Sequence, residues 1–109
     1  MSVEWAAGLF EGEGSIVCNK VSYRKNSIRI SLSLSSTDKD VIEKFIDTVN
    51  CGKLHGPYKG QREGNKERYD WFVQNKRDCL YVLGQLYPFL CLRRKQKADE
   101  MIALILERY

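Results

Sequence analysis

The most regular pattern in the chain is an alternation of apolar and polar residues between positions 28 and 35. Isoleucine and leucine occupy the even positions, and arginine and serine occupy the odd ones. Because successive side chains of a strand point to opposite faces, this pattern predicts a strand with one buried and one solvent-facing side. A partner strand is predicted over residues 15–23, and the polar stretch 24–27 between the two predicts a hairpin turn.

The rest of the chain alternates between helical and strand patterns. Helices are predicted after Ser2, after Thr37 or Asp38, over residues 76–86 and over residues 93–108, with Pro88 between the last two. Strands are predicted at 53–58 and 68–74, with a loop rich in glycine and charge between them. In the latter strand the odd positions face the core, and Phe72 is the apolar exception in the outward row. The order α–β–β–α–β–β–α–α predicts an α+β fold with one sheet and helices on one of its faces.

Length and composition favour one globular domain, residues 1–109, around one core. No apolar run is long enough to span a membrane and no basic-then-apolar signal begins the chain, so an intracellular protein without a membrane partner is expected. The four cysteines form no CxxC pair and are expected to be packed free thiols. The single histidine, His55, argues against a histidine-based metal site.

Positive charge is concentrated in three segments, although the net charge is only +4. Eleven of the 18 basic residues lie there: Lys20, Arg24, Lys25 and Arg29; Lys53, Lys59 and Arg62; and Arg93, Arg94, Lys95 and Lys97. Solvated loop charge is the simplest interpretation of such blocks. The first two fall on predicted strands and turns, however, and clustered positive charge of this kind indicates a nucleic-acid partner.

The end of the first predicted helix has an unusual composition, AAGLFEGEG over residues 6–14. Ala7, Gly8 and Gly12 have almost no side chain, so the helix carries a notch where a second helix can approach closely. Glu11 and Glu13 stand at the helix C-terminus, where the helix dipole disfavours negative charge. A divalent cation is the natural compensation, because carboxylate oxygens are ligands that hard cations prefer.

This stretch resembles the LAGLIDADG motif of homing endonucleases. It keeps the second, third, fourth and ninth letters of the motif, and Glu11 and Glu13 replace its two aspartates. A later segment, LYPFL followed after one residue by LRRKQ, is similar to the apolar–Pro–aromatic–Leu and basic segment of the same family. The resemblance extends over nearly the whole chain.

The resemblance implies an αββαββα core, with a curved antiparallel four-stranded sheet backed by helices. Since the chain has one motif, it also implies a homodimer with Ala7, Gly8 and Gly12 at the interface. The two copies of Glu13 would lie side by side and share a divalent cation, Mg²⁺, with the Gly12 carbonyl as a further ligand. Glu11 is included in the candidate metal site, although its position in the motif suggests a more structural role.

The resemblance also implies residues for catalysis and DNA contact. Arg93 matches a basic residue near the reaction centre, with Lys95 as a second candidate, and a water-ordering residue is expected at Asp38 or Lys39. The outward strand faces and their turns would contact the DNA, the alternative for each residue being a solvated strand face. The candidates are Asn19, Arg24, Lys25, Arg29, Ser31, Ser33, Ser35, Lys53, His55, Lys59, Arg68, Asp70 and Gln74.

Three functions remain open at this point. The first is a metal-dependent homing endonuclease that cuts both strands of a long, near-palindromic DNA site as a homodimer. The second is a non-cleaving DNA-binding protein, or an intron RNA maturase, of the same fold. The third is a small α+β domain that dimerises through its first helix without nucleic acid. The two motif carboxylates favour the enzyme, the charge distribution disfavours the third function, and no small-molecule substrate is expected.

Overall fold

A computed structural model describes residues 2–20, 27–59 and 66–107. Its elements are α1 (Val3–Glu13), β1 (Gly14–Lys20), β2 (Ile28–Ser36), α2 (Lys39–Val49), β3 (Lys53–Tyr58), β4 (Arg68–Val73), α3 (Lys76–Leu86), a 3-10 turn (Tyr87–Phe89) and α4 (Leu92–Glu107). The predicted α+β class and αββαββα order are confirmed. Residues 24–26 of the turn predicted over 24–27, and residues 21–23 at the end of the first predicted strand, lie outside the described residues.

The four strands form one antiparallel sheet in the order β1-β2-β4-β3. One row of its core face pairs Gly14 with Leu34, Leu34 with Trp71, and Trp71 with Leu54. In β2, Ile30, Leu32 and Leu34 are buried, as the alternation predicts. All four helices pack against the sheet, so the opposite face of the sheet remains uncovered among the described residues.

Trp71 lies at the centre of the core and fixes the end of α2. Its ring meets Phe45 edge-on at 4.8 Å between centroids, and its indole N–H donates to the carbonyl of Cys51 at 2.8 Å. The chain passes so close to the indole that a Cβ on Gly52, whose φ is +89°, would collide with the ring. Glycine at this position therefore lets α2 lead directly into β3.

The junction between α1 and β1 is equally tight. Ser2 caps α1 by accepting from the Trp5 N–H at 3.1 Å, as predicted. At the other end, Gly14 is the first strand residue, and a Cβ there would lie 2.5 Å from the ring of Phe10. The absence of a side chain at Gly14 lets the strand begin immediately after the helix, and this places Glu13 at the edge of the sheet.

The cysteines are all free. Cys79 is buried, and desolvation raises the pKa of its thiol to about 12, whereas Cys91 is exposed and departs from the expectation of packed thiols. Among the described residues, no helix is both long enough and apolar enough to cross a lipid bilayer.

Candidate active site and nucleic-acid interface

Glu13, the last residue of α1, has an exposed side chain on the rim of a cleft. Within the described residues its carboxylate has no hydrogen-bond or ion-pair partner. The cleft has a volume of about 530 Å³ and is lined by Leu9, Glu13, Leu34, Ser35, Ser36, Thr37, Asp38, Val41, Ile42 and Arg68. An unpaired carboxylate at a helix C-terminus attracts a positive charge, which makes this cleft the candidate metal centre.

Glu11 has a different environment. One of its carboxylate oxygens accepts from the Cys91 backbone N–H at 2.6 Å, and the other lies 3.5 Å from Nε of Arg94. Arg94 also donates to the Glu11 backbone carbonyl at 3.3 Å. The Glu11 side chain thus joins the end of α1 to the start of α4, where negative charge is favoured. Its predicted metal role stays a prediction, but its carboxylate already has protein partners.

The exposed face of α1 is formed by Gly8 and Gly12, with Trp5 and Leu9 half-buried beside them. Nothing within 4 Å would meet a Cβ at either glycine, so the notch is open. Ala7 is fully buried in the core of its own protomer. Ala7 is therefore not part of the open notch in this protomer, and its predicted place in the dimer interface stays a prediction. The Gly12 carbonyl belongs to the last turn of the helix, whose carbonyls lack intrahelical donors.

The structure separates the two candidates for ordering water. Asp38 lines the same cleft as Glu13 and occupies the N-cap position of α2, but its side chain makes no capping bond. Its backbone N–H instead donates to the Ser36 hydroxyl at 3.0 Å. Lys39 pairs with Glu43 at 4.0 Å. Of the two, Asp38 is the residue that shares a cavity with Glu13.

The two basic candidates for catalysis also lie in different surroundings. Arg93 is exposed in the first turn of α4 and lines a cavity of about 340 Å³ that also contains Ser15, two residues after Glu13. Lys95 turns towards the 3-10 segment, where its Nζ lies 5.6 Å from the centroid of the Tyr87 ring. Arg93 thus lies on the side of α4 facing the start of β1, and Lys95 is directed elsewhere.

No group of three or more His, Cys, Asp or Glu side chains that could hold a metal ion occurs in the described part of the chain. One protomer offers Glu13, the nearby Asp38 and backbone carbonyls, all of them oxygen donors. Oxygen donors of this kind suit Mg²⁺ or Ca²⁺ better than softer metals. A complete coordination shell would require further ligands from a second protomer, from water or from a phosphate.

The uncovered face of the sheet carries the predicted DNA-contacting residues in cross-strand rows. Asn19 pairs with Arg29, Ser31 with Val17, and Ser33 with both Ser15 and Phe72. The rows continue with Lys53 opposite Phe72, His55 opposite Asp70, and Ser35 opposite Asp70. Gln74 follows the end of β4 and is exposed, as is Lys59. Arg24 and Lys25, with Arg62 of the second basic segment, lie outside the described residues.

Some of these polar groups already bond to one another. Asp70 accepts from the Ser35 hydroxyl at 2.7 Å and pairs with Arg68 Nε at 3.1 Å. Arg68 also lies over the ring of Tyr58, 5.6 Å from its centroid. The Asp70 carboxylate therefore holds Arg68 and Ser35 in fixed positions on the sheet, while its own charge is compensated.

Two groups of residues on these surfaces were not assigned a role from the sequence. The first is Phe89 and Leu92, which are 44% and 73% exposed and flank Cys91, whose N–H bonds to the end of α1. The second is Phe72, whose ring stacks on His55. Strand parity placed Phe72 outward, but pairing with His55 depends on the β3–β4 register, which the sequence pattern does not reveal.

The chain is similar to known proteins both in sequence and in fold. The family model described as LAGLIDADG endonuclease matches residues 6–99. The homing endonuclease I-CvuI, solved in complex with the I-CreI target, superposes with a TM-score of 0.70 at 17% identity, over 97% of this chain and 74% of that one. The homing endonuclease I-TnaI gives 0.69 at 16% identity, over 99% and 75%.

The meganuclease I-AabMI, bound to uncleaved DNA, gives a TM-score of 0.75 at 14% identity, over 99% of this chain but only 37% of that one. At these identities the likeness shows a shared fold. A comparison with curated protein sequences gives no significant match.

Proposed function

Because this chain belongs to the LAGLIDADG endonuclease family, we propose that it is a site-specific DNA endonuclease that acts as a homodimer with a divalent cation. Its substrate would be a long, near-palindromic duplex, in which it makes a double-strand break. The contrast between the two motif carboxylates carries the proposal. Glu11 is bonded to α4, whereas Glu13 is exposed without a polar partner among the described residues.

The surface of α1 supports the dimer. α1 has Ala6, Ala7 and Phe10 in the core, while Trp5 and Leu9 leave apolar surface half-exposed on another side of the helix, and such surface is normally covered. Gly8 and Gly12 lie beside Trp5 and Leu9 on the helix surface, and their missing side chains allow close helix approach. A two-fold axis running along the paired helices would bring each Glu13 near its counterpart, since both would then stand at the same end of the touching helices. The exposed Phe89 and Leu92 would extend the contact.

The donor set supports a hard cation. Two Glu13 carboxylates close together would repel unless a cation neutralised them, and the Gly12 carbonyls would supply further oxygen ligands. A bound Mg²⁺ would lower the pKa of a coordinated water and stabilise negative charge on the scissile phosphate. Asp38 would accept a hydrogen bond from the attacking water, since its carboxylate lines the same cleft. Arg93 would balance charge on the phosphate without transferring a proton, because a guanidinium stays protonated.

The uncovered sheet face would follow the major groove, whose width admits β-ribbons. Arg29, the serines of β2 and the residues held by Asp70 would face base edges, and Lys53 and Lys59 would contact bases or phosphates. This assignment uses the sheet face that none of the four described helices covers, and it agrees with the concentration of positive charge on the strands and their turns.

A selection and cleavage experiment tests the proposal. Duplexes bound by the protein are selected from a random library in Ca²⁺, and plasmids carrying them are incubated with protein and Mg²⁺ or with EDTA. We expect linear product in Mg²⁺ and intact plasmid in EDTA. Failure to enrich any duplex would refute DNA recognition altogether.

The alternative functions for the same fold are a non-cleaving DNA-binding protein and an intron RNA maturase. The selection and cleavage experiment distinguishes both of them from the endonuclease. A non-cleaving protein would retain the selected duplex and leave the plasmid intact in Mg²⁺. A maturase would bind a structured intron RNA more tightly than any selected duplex. Glu13, which has no polar partner in the described part of the chain, favours the enzyme, because a protein that only binds has no use for an uncompensated carboxylate at a helix C-terminus.

A further inference from the structure

Phe72 is an apolar side chain on the polar face of the sheet. Its neighbours in β4, Trp71 and Val73, are buried in the core, so strand parity turns Phe72 to the uncovered side. It is not among the partly buried hydrophobic residues that pack against the core. The side chain is half-buried among its neighbours on the sheet surface but lies outside the core, so core packing does not explain it.

The ring has a fixed orientation on this surface. Phe72 stacks on His55 of the neighbouring strand, with 4.1 Å between ring centroids and 13° between ring planes. Its cross-strand partners are Lys53 on β3 and Ser33 on β2, so a cation and a hydroxyl flank it. The result is a small apolar platform with polar neighbours, at the side of a shallow cavity of about 470 Å³ lined also by Gln74 and Asn75.

The major groove of DNA presents one apolar group that an aromatic ring can contact and thereby distinguish one base from the others. This is the C5-methyl of thymine, which adenine, guanine and unmodified cytosine lack at the groove edge. The flanking Lys53 is compatible with a polyanion and can donate to a guanine of an adjacent pair. A ring held by stacking loses little side-chain entropy on contact, which favours its use as a specificity element.

We propose that Phe72, braced by His55, recognises a thymine C5-methyl at one position in each half-site of the DNA target. The inference rests on the proposed function, because it requires the uncovered sheet face to lie in the major groove. It assigns that face an apolar base contact in addition to its polar ones. By two-fold symmetry the homodimer would make this contact twice.

Replacing thymine by deoxyuridine tests the contact, since it removes the methyl and keeps every hydrogen-bonding group. Selected duplexes carrying single replacements are assayed for binding to the wild-type protein in Ca²⁺. Burial of one methyl group predicts a loss of about fourfold in affinity at one thymine per half-site. Phe72→Ala should bind the unmodified duplex more weakly and lose this sensitivity, whereas Phe72→Leu should retain part of it.

Val17→Ala is the matched control, because Val17 lies on the same face but on β1, across β2 from Phe72. It should leave the deoxyuridine response at the Phe72 position unchanged. An identical deoxyuridine profile for wild type and Phe72→Ala would overturn the proposal and leave Phe72 as a cross-strand packing residue, while DNA recognition itself would stand. If the wild type enriched no duplex, the proposed function would fail first.

Discussion

At the scale of single residues, the two motif glutamates show how position decides chemical role. Glu11 and Glu13 are both near the C-terminus of α1, where the dipole disfavours them. The negative charge of Glu11 is compensated by Arg94 and by the backbone N–H of Cys91. Cys91 is 80 positions away from Glu11 in the sequence. The sequence predicted that both acids needed compensation. It could not reveal that one finds it inside the protomer, because that depends on where α4 begins in space.

Glu11→Ala should destabilise the protein. The change removes an acceptor from the start of α4 and leaves Arg94, whose side chain is only 17% exposed, without its carboxylate partner. A loss of about 1–2 kcal/mol in the free energy of unfolding is expected, as for other helix-capping side chains. Urea unfolding at fixed protein concentration measures it.

Glu13→Gln is the matched comparison for stability. It removes a charge from the same helix end without breaking a bond to any described residue, so the free energy of unfolding should be unchanged or slightly higher. Equal destabilisation by Glu11→Ala and Glu13→Gln would contradict the division of roles between the two carboxylates.

At the scale of elements, alternation and helical spacing were sufficient to predict the strands and helices, but not how they associate. The sequence predicted β2 and the inward residues of β4 correctly, because period-two burial is visible along a strand. The strand order β1-β2-β4-β3 and the pairing that joins His55 to Phe72 depend on register between distant strands. Likewise, small residues predicted the notch on α1, but helix phase excludes Ala7 from it.

Gly8→Leu should dissociate the dimer without unfolding the protomer. A Cβ at Gly8 would meet no described atom within 4 Å, so the protomer has open space for a leucine, which would overpack the helix–helix contact. Sedimentation velocity at micromolar concentration should show a dimer for the wild type and a monomer for the variant, with helical circular dichroism preserved.

Gly84→Leu is the control, because Gly84 is also an exposed helical glycine with open space around it, but on α3. It should remain dimeric and gain helix stability, since glycine costs about 1 kcal/mol in a helix interior. A Gly8→Leu protein that sediments as the wild-type dimer would contradict the proposed interface.

At the scale of the whole molecule, the helices cover one face of the sheet, and the described strands carry Arg29, Lys53 and Arg68 on the other. The alternation predicted the outward row of β2, and the strand pairing shows which residues of β1, β3 and β4 share that face. The active site could be predicted only in part, since a single protomer presents one unpartnered motif carboxylate within its described residues. Further ligands would have to come from a second protomer, from water or from a phosphate, and the sequence pattern does not show where those would lie.

Binding to the selected duplex should weaken steeply with salt, because each phosphate contact releases counterions. Lys59→Ala should reduce the slope of log affinity against log salt by about 1 per protomer and weaken binding to all sequences alike. Lys44→Ala, an exposed lysine on α2 behind the sheet, should leave the slope unchanged. A salt-independent affinity of the wild type would contradict binding through this face.

The central claim is that Glu13 from each protomer anchors the cation that cleaves DNA. Its most direct test is the rate at which wild type, Glu13→Gln and Asp47→Asn linearise a plasmid carrying the selected site in Mg²⁺, with duplex affinity measured in parallel. Asp47 is an exposed acid on α2, remote from the cleft, and its variant should cut like the wild type. The account predicts that Glu13→Gln binds the duplex with wild-type affinity and produces no detectable linear product; cleavage by Glu13→Gln at the wild-type rate would contradict it.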